Sequence, residues 1–570
     1  MFIFVGTAIP LNAILIHQGV VLHHEPTLSV TIQIPSESQV YEGDIINCTI
    51  TGNPSIKYWQ INGQGHHTTF FGDKPVLFNP EPTPLNDTYV NLTVWVENGT
   101  DTASDSARIQ LKRLFFGDLQ FHSSVSDGYY SPETLYHNGI MDNYLDFVCL
   151  TDHGELINQQ DITPPQPVWM RVRSFLQVLA YKFFERDEWQ LLKEQVQRFN
   201  TPGEFTTFLG FEYSSGPWFP GGTPFSPNNH QDVGHICFIY KDYYEDAEKY
   251  SAWDQYTFDD VFAAMNKEWD QGHPSVGFPH HPLMKILWWG DYTVNWTFLA
   301  NKITNTSARD RVLRGVEAYS RWGTAIGKYS EIPIQWPYGT LYIRDKPEYW
   351  VENGLWEWSK DQMKYRPFVI EAGSDTHGID RPGSAATQTE RVSKTNPSGI
   401  VAAYATHNTR ADLWDALNNC TIYGLQTLKI RANVRFDGQM ALGRWINCSS
   451  PLTVTISAYA TFPGLDSSSR SMCPYGYDPT ELGYPIQDIW LIKKDTERGQ
   501  PWCKVIGHVS PNASLSVVEF QDPDVQPNDF YYVAIRQHGQ QMDASNEQID
   551  DTRDEYMAFL GPVFIDQVQG

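Results

Sequence analysis

Histidine and carboxylate side chains recur in this sequence at one kind of place, the end of an apolar run. FFGDLQFH delivers Asp118, Gln120 and His122, with Asp127 close behind, and LDFVCLTDH ends in Asp152 and His153. FTTFLGFEY carries Glu212, GHICFIY opens on His235, VGFPHH closes on His280 and His281, and FVIEAGSDTH closes on Asp375 and His377. Residues two apart on a strand share a face, so Asp118, Gln120 and His122 are expected to point one way, as are Asp375 and His377. Neutral imidazoles grouped with carboxylates are the donor set of divalent cations, and without cations the carboxylates would repel one another in a cleft. One histidine at a strand end is ordinarily a hydrogen-bonded structural residue. Six separate strand ends carrying ligand-type side chains point instead to a shared centre. The chemistry open to such a centre is activation of water, whose pKa falls when it bridges cations. Glu212 is the candidate bridging carboxylate. Asp152, Asp375 and His235 remain open alternatives for an acid that protonates a leaving group. Asp127 and Asp152 are expected to ligate directly or to hold ligand imidazoles from behind.

Such side chains need a scaffold that gathers them. From residue 114 to about 430, strand-like runs alternate with helical stretches at SPETLYHNGIMDN, 167–199, 256–271 and RADLWDALNN. Alternating βα units with mostly buried strands imply a parallel sheet, closed or distorted into a barrel, whose strand ends converge on one mouth. Before it, SVTIQIP, DIINCTITG, IKYWQING and YVNLTVWVEN alternate apolar and polar residues between turns. Cys48 and Trp59 there resemble the paired strands of an immunoglobulin-like sandwich, although NLTVWVEN lacks the second cysteine. After it come the strands KIRANVRF, PLTVTISAYA, IQDIWLIKK, SLSVVEF, DFYYVAIRQHG and MAFLGPVFID, expected to form a second sandwich. The expected fold class is multidomain α/β plus all-β, a central distorted (β/α) barrel flanked by two β-sandwiches. Its divisions are an apolar segment 1–26, an Ig-like sandwich 27–112, a metal-binding barrel 113–430 and a C-terminal sandwich 431–570. The first 22 residues carry no charged side chain, and a signal remnant, a short anchor and a pairing strand all remain open for them.

Composition narrows the partners. Acidic residues number 67 against 41 basic, a formal charge of −26, and no Lys/Arg cluster offers itself to a phosphate backbone, so nucleic acid is not expected. A chain of 570 residues exceeds one hydrophobic core, in keeping with about three domains. Nine N-x-S/T sequons, at Asn47, Asn86, Asn91, Asn98, Asn295, Asn305, Asn419, Asn447 and Asn512, lead us to expect a glycoprotein outside the cell or on its surface. Seven cysteines without a C-x-x-C pair argue against a zinc ribbon. In an exported chain, Cys473 with Cys503 and Cys420 with Cys448 are candidate disulfides.

The segment GDLQFHSSVSDGYYSPETLYHNGIMDNYLDFVCLTDHGE resembles the opening of the PHP (polymerase and histidinol phosphatase) domain, D-x-H-x-H-x-x-x-S-D-G followed by L-D-x-x-x-x-T-D-H. LGFEYS, GHICF, FPHHP and AGSDTH are similar to later members of its ligand set. THNTRADLWDALNNCTIYG and the closing FYYVAIRQHG and FLGPVFI are similar to a branch of large, exported PHP-like proteins, so the likeness runs over roughly 114–565. The resemblance implies a metal-dependent phosphoesterase that hydrolyses a phosphomono- or diester of a small substrate by a metal-activated hydroxide. It implies two or three divalent ions (Mn, Fe or Zn) on His122, Asp127, His153, Glu212, His235, Asp375 and His377, with His281 fitting the family pattern better than its alternative His280. Arg410 and Arg321 are candidate phosphate clamps. Gln120 departs from the family, which has histidine there; an amide oxygen is a weak ligand, so one metal position is expected to be weakened or empty. That departure, with the sandwiches, sequons and apolar N-terminus, leaves open a non-catalytic alternative. It is a homo-oligomeric or filament-forming surface glycoprotein attached to a membrane or surface through its N-terminus. No G-x-S-x-G, P-loop or H-E-x-x-H motif competes.

Overall fold

The computed structural model describes residues 27–34, 38–78, 83–128, 130–141, 145–158, 187–215, 234–252, 257–280, 285–286, 290–291, 303–320, 323–324, 334–336, 339–341, 369–377, 399–426, 429–460, 485–494, 503–538 and 555–569. The segment 1–26, His281, Arg321, Asn295, Cys473 and the first part of the helix expected over 167–199 lie outside the described residues.

The N-terminal unit begins with β1 (Ser29–Ile32), β2 (Ser38–Tyr41), β3 (Cys48–Thr51) and β4 (Ile56–Ile61), followed by β5 (Val90–Asn98) and β6 (Asp101–Asp118). β1 and β3 form a two-stranded antiparallel sheet, while β4, β5, β6 and β2 pair in that order. Alternation in β5 buries Val90, Leu92, Val94 and Val96 and turns the residues between them outward. These side chains close around fully buried Trp59 in an apolar cluster of their own. Cys48 is a free thiol that donates to the Asp73 carbonyl at 2.9 Å.

β6 leaves this unit without a break. Its first half alternates and pairs with β5; its last residues, Leu114 to Asp118, are all buried. There it joins the central strands β7 (Phe147–Leu150), β8 (Thr206–Ser215), β9 (Gly234–Tyr240), β10 (Ser275–His280), β11 (Gly315–Ser320), β12 (Val369–Ala372), β13 (Gly399–Ala405) and β14 (Ile422–Gln426). Among the described residues five helices accompany them: α1 (Pro132–Met141), α2 (Glu188–Phe199), α3 (Phe258–Asp270), α4 (Thr306–Val312) and α5 (Arg410–Asn418). α3 starts at Thr257, where a reciprocal capping box with Asp260 satisfies the first backbone donors. α2 buries Trp189, Leu192, Val196 and Phe199 at helical spacing.

Strand direction corrects the expectation of an all-parallel arrangement. β6–β7, β7–β8 and β11–β12 are parallel, but β8–β9, β9–β10, β6–β13 and β13–β14 are antiparallel. The described residues are mostly strand in large mixed sheets with few helices. Runs such as GHICFIY, buried at every position, read the same in either direction, so they signal burial and not orientation.

The last strands are β15 (Arg431–Phe436), β16 (Trp445–Ser449), β17 (Leu452–Tyr459), β18 (Ile486–Lys494), β19 (Cys503–Val509), β20 (Leu515–Asp522), β21 (Phe530–His538) and β22 (Glu555–Gln569). β22 pairs with β14, which extends the central sheet into β21, β18 and β19, while β15, β17 and β20 form a separate sheet. One apolar cluster runs unbroken from Leu114 to Ile565. Cys420 and Cys448 are both free and buried, which overturns their expected pairing; the Cys420 thiol donates instead to the Arg314 carbonyl at 3.2 Å. Glu42 and Asp44, beyond β2, pair with Arg431 and Arg435 of β15, and fully buried Glu42 also accepts from the Leu114 amide at 2.9 Å. Gly43 between them has φ +88°, and a Cβ there would fall 2.6 Å from that of Asn433. Among the described residues no helix is long and apolar enough to cross a membrane.

Candidate metal centre

Backbone hydrogen bonds stitch four strand ends together. His122 N donates to Thr376 O (2.9 Å) and Asp375 N to Gln120 O (2.8 Å), across an isolated parallel bridge between Phe121 and Thr376. Glu212 N donates to Asp152 O (3.0 Å) and Gly154 N to Glu212 O (2.7 Å), across a bridge between His153 and Glu212. In the antiparallel ladders Ser214 lies opposite His235, Glu212 opposite Cys237, and His235 opposite His280. Directly opposed residues share a face, so all five project together. Asp375 adopts φ 49°, a left-handed conformation that aspartate tolerates, at the turn following β12.

Glu212 is the floor of the centre and is fully buried. Its Oε1 lies 2.5 Å from His235 Nδ1 and 3.2 Å from His153 Nδ1; its Oε2 lies 2.9 Å from His280 Nε2 and 3.3 Å from His122 Nε2. Ser214 Oγ donates to Glu212 Oε1 at 2.9 Å and sits 2.7 Å from His153 Nδ1. Asp375 Oδ1 approaches His122 Nε2 at 2.9 Å. Nearer the surface, Asp127 Oδ2 lies 3.3 Å from His377 Nε2 and 3.5 Å from His153 Nε2. The His122 ring stacks on those of His377 and His153 at centroid distances of 4.1 and 4.5 Å.

The charges are strongly coupled. Burial and the nearby His153 push the His122 imidazole down, yet its contacts with Asp375 and Glu212 outweigh them and raise its pKa to about 10. His153 likewise rises well above its usual value, because Glu212 and Asp127 outweigh its burial. Burial would raise Glu212 and Asp127, but the surrounding imidazoles hold both carboxyls well below the ordinary range. The donor set fits divalent cations. Nitrogen and oxygen ligands of one cation stand ~3.3 Å apart, given bonds of about 2.0–2.2 Å. The pairs around Glu212 Oε2 already have that spacing. Among the described residues four such groups occur: His122, Asp127, His153 and His377; His153, Glu212 and His235; Glu212, Cys237 and His280; His122, Glu212 and Asp375. His122 Nδ1 is buried with no hydrogen-bond partner.

Several candidates have other work. Asp152 accepts from Ser123 N (2.7 Å), Ser123 Oγ (2.6 Å), Ser126 N (3.2 Å) and Ser126 Oγ (2.5 Å), which clamps the turn leading to Asp127. Its carboxylate is saturated and is not presented as an acid or a ligand. Asp118 Oδ1 accepts from Gln120 N and Ser374 N at 3.1 and 3.0 Å. Gln120 Nε2 lies 2.7 Å from His280 Nδ1, so this amide holds a ligand-type ring from behind. Arg410 is not brought to the centre. Its guanidinium is bound to Thr207 O (2.7 Å), Val196 O (3.0 Å) and Asp242 Oδ1 (2.9 Å), at the far end of β8 from Glu212.

Four nearby side chains escape a reading of motif ends. Ser214 and Cys237 follow from alternation, because each shares a face with Glu212 or His235. Glu317 and Glu371 are the lone carboxylates of RGVEAYS and FVIEAG and are register partners on β11 and β12. Glu317 Oε2 lies 3.9 Å from His280 Nδ1. Burial, with Asp118 adding, pushes the Glu371 carboxyl up to about 8.

A family model described as a protein of unknown function (DUF3604) matches residues 171–285, the stretch that carries Glu212, His235 and His280. No curated protein matches the chain. Among solved structures, the chain is similar to a β-glucuronidase of Parabacteroides merdae at 8% identity and a TM-score of 0.15, over 95% of this chain and 65% of that one. It is also similar to a two-domain protein of Bacteroides vulgatus ATCC 8482 containing a predicted PHP-like metal-dependent phosphoesterase, with 14% identity, a TM-score of 0.32, and coverage of 78% of this chain and 95% of the other.

Proposed function

We propose that the chain is an exported metal-dependent phosphoesterase of the PHP type, hydrolysing a phosphomono- or diester of a small substrate. The observation that carries this reading is the buried Glu212 carboxylate with four imidazoles around its two oxygens, continuous with Asp127, Asp375 and His377. A distorted barrel is supported by two isolated parallel bridges. Phe121 with Thr376 links the end of β6 to that of β12, and Gly277 with Leu313 links β10 to the start of β11.

The residues that would hold two or three divalent cations are His122, Asp127, His153, Glu212, His235, His280, Asp375 and His377. When bound, such cations supply Lewis-acid activation of water and neutralise charge on phosphoryl oxygens. Glu212, reaching imidazoles through both oxygens, ties the deep positions to one another. The Asp127 and His377 side chains are 11% and 25% exposed while Glu212 is closed to solvent, so substrate approaches from their side. His377 Nε2, at that rim and facing Asp127, would complete the outer cation position. Asp152 keeps Asp127 at the rim by fixing its turn.

Export rests on the sequons. Asn47, Asn86, Asn91, Asn98, Asn419, Asn447 and Asn512 are all exposed, whereas half-buried Asn305 caps α4 by accepting from Ala308 N at 3.1 Å.

Elemental analysis of the purified chain combined with a panel of phosphoesters tests the reading. Stoichiometric Mn, Fe or Zn with turnover is expected, and His377→Ala should lower turnover by about 100-fold or more while the circular dichroism spectrum is retained. Folded protein that binds no cation, or full turnover in His377→Ala, would refute it.

A further inference from the structure

Among the described residues, the Cys237 sulfur faces the centre and has no part in the reading above. Cys237 lies directly opposite Glu212 in the β8–β9 ladder and diagonal to His280 across β9–β10. Alternation along β9 turns Ile236 and Phe238 into the apolar core and Cys237 toward the carboxylate. Glu212 Oε2, Cys237 Sγ and a ring nitrogen of His280 all lie within 4.8 Å of one another. Sγ is 3.9 Å and His280 Nε2 is 2.9 Å from the same carboxylate oxygen. Cys149, equally buried, packs against Gly210 and the Leu150 carbonyl.

Gln120 supplies an independent observation. Its Oε1 is buried without a hydrogen bond while its Nε2 faces His280 Nδ1 at 2.7 Å. Turning the amide by half a rotation brings the oxygen to a protonated Nδ1, which leaves His280 Nε2 unprotonated and ligating. In that orientation Gln120 serves as a neutral holder of His280 in place of a further donor.

We propose that Glu212, Cys237 and His280 form a sulfur-containing cation subsite at the deep end of the centre, selective for a thiophilic cation such as Zn²⁺ over Mn²⁺ or Mg²⁺. The inference rests on the centre's being a metal site, and it names which cation the deep position takes. Thiolate is a soft ligand that favours zinc over manganese or magnesium. Bond lengths of about 2.3 Å for sulfur and 2.0–2.1 Å for nitrogen need only a small inward movement of these donors. The thiol proton leaves to solvent as the cation binds, and the cation's charge offsets the repulsion between thiolate and Glu212.

Titration of the metal-free full chain with Co²⁺, a spectroscopic probe for zinc sites, decides the matter. A near-ultraviolet sulfur-to-cobalt charge-transfer band is expected. It should vanish in Cys237→Ser, persist in Cys149→Ser, and be accompanied in Cys237→Ser by a fall of tenfold or more in the Zn²⁺-to-Mn²⁺ affinity ratio. Stoichiometric Co²⁺ binding to the wild-type chain without that band overturns the subsite and leaves the phosphoesterase reading standing. Absence of any Co²⁺ binding by the folded chain overturns both. The wild-type spectrum decides even if the variants fail to fold.

Discussion

At the scale of single residues, Ser214 determines which nitrogen His153 offers. Its hydroxyl donates to Glu212 Oε1, so its lone pair is left to accept from His153 Nδ1–H, and Nε2, facing Asp127, is the nitrogen that would give up its proton to a cation. Ser214→Ala should therefore weaken cation binding about 10–100-fold in a chelator-competition titration, with little change in melting temperature. Glu371 makes a prediction of the opposite kind, on stability. Its folded pKa of about 8 lies above the ordinary 4.5, so the folded chain holds a proton that the unfolded chain has lost between those values. Its contribution is intact below about pH 4.5 and is lost progressively as the pH climbs toward 8. Glu371→Gln should flatten that slope and raise metal-free stability by on the order of 3 kcal/mol near pH 7, read from urea unfolding across the pH range. An unchanged slope would rule out Glu371 as its source. The imidazoles gathered around Glu212 could be read from sequence because each ends or opens an apolar run. The saturation of Asp152 by Ser123 and Ser126, and the capture of Arg410 by Thr207, Val196 and Asp242, could not. Those roles depend on partners whose positions only the fold supplies.

At the scale of elements, the turn after β7 depends on the absence of a side chain. A Cβ on Gly154 would fall 2.2 Å from the Tyr250 carbonyl oxygen, while the Gly154 amide must reach Glu212 O. Gly154→Ala is expected to cost about 1–3 kcal/mol by thermal unfolding and to weaken cation binding with it, because His153 and Glu212 meet across that bridge. Local chemistry made some elements legible: α3 begins where Thr257 and Asp260 form their box, and β5 shows its period of two plainly. Strand direction was not legible. A strand buried on both faces shows a continuous apolar run whichever way it points, and only hydrogen-bond register distinguishes the antiparallel β8–β9–β10 from a parallel set.

For the whole molecule, the joint between the N-terminal unit and β15 is ionic and buried. Glu42 is closed to solvent and holds both Arg431 and the Leu114 amide. Arg431→Met strands that carboxylate and should cost about 3–5 kcal/mol in equilibrium unfolding, whereas an exposed ion pair would register less than about 1 kcal/mol. The charges of this joint lie almost four hundred positions apart, and no local pattern pairs them. The 18-residue β6 has a mechanical consequence. At about 3.3 Å per residue it forms a spar of roughly 60 Å, with the hairpin of the N-terminal unit at one tip and the approach to His122 at the other. A displacement of the hairpin would travel along hydrogen-bonded backbone and reach the strand end that presents His122 without crossing a slack tether. The orientation of the strand end that presents His122 is thereby tied by continuous backbone to the hairpin of the N-terminal unit.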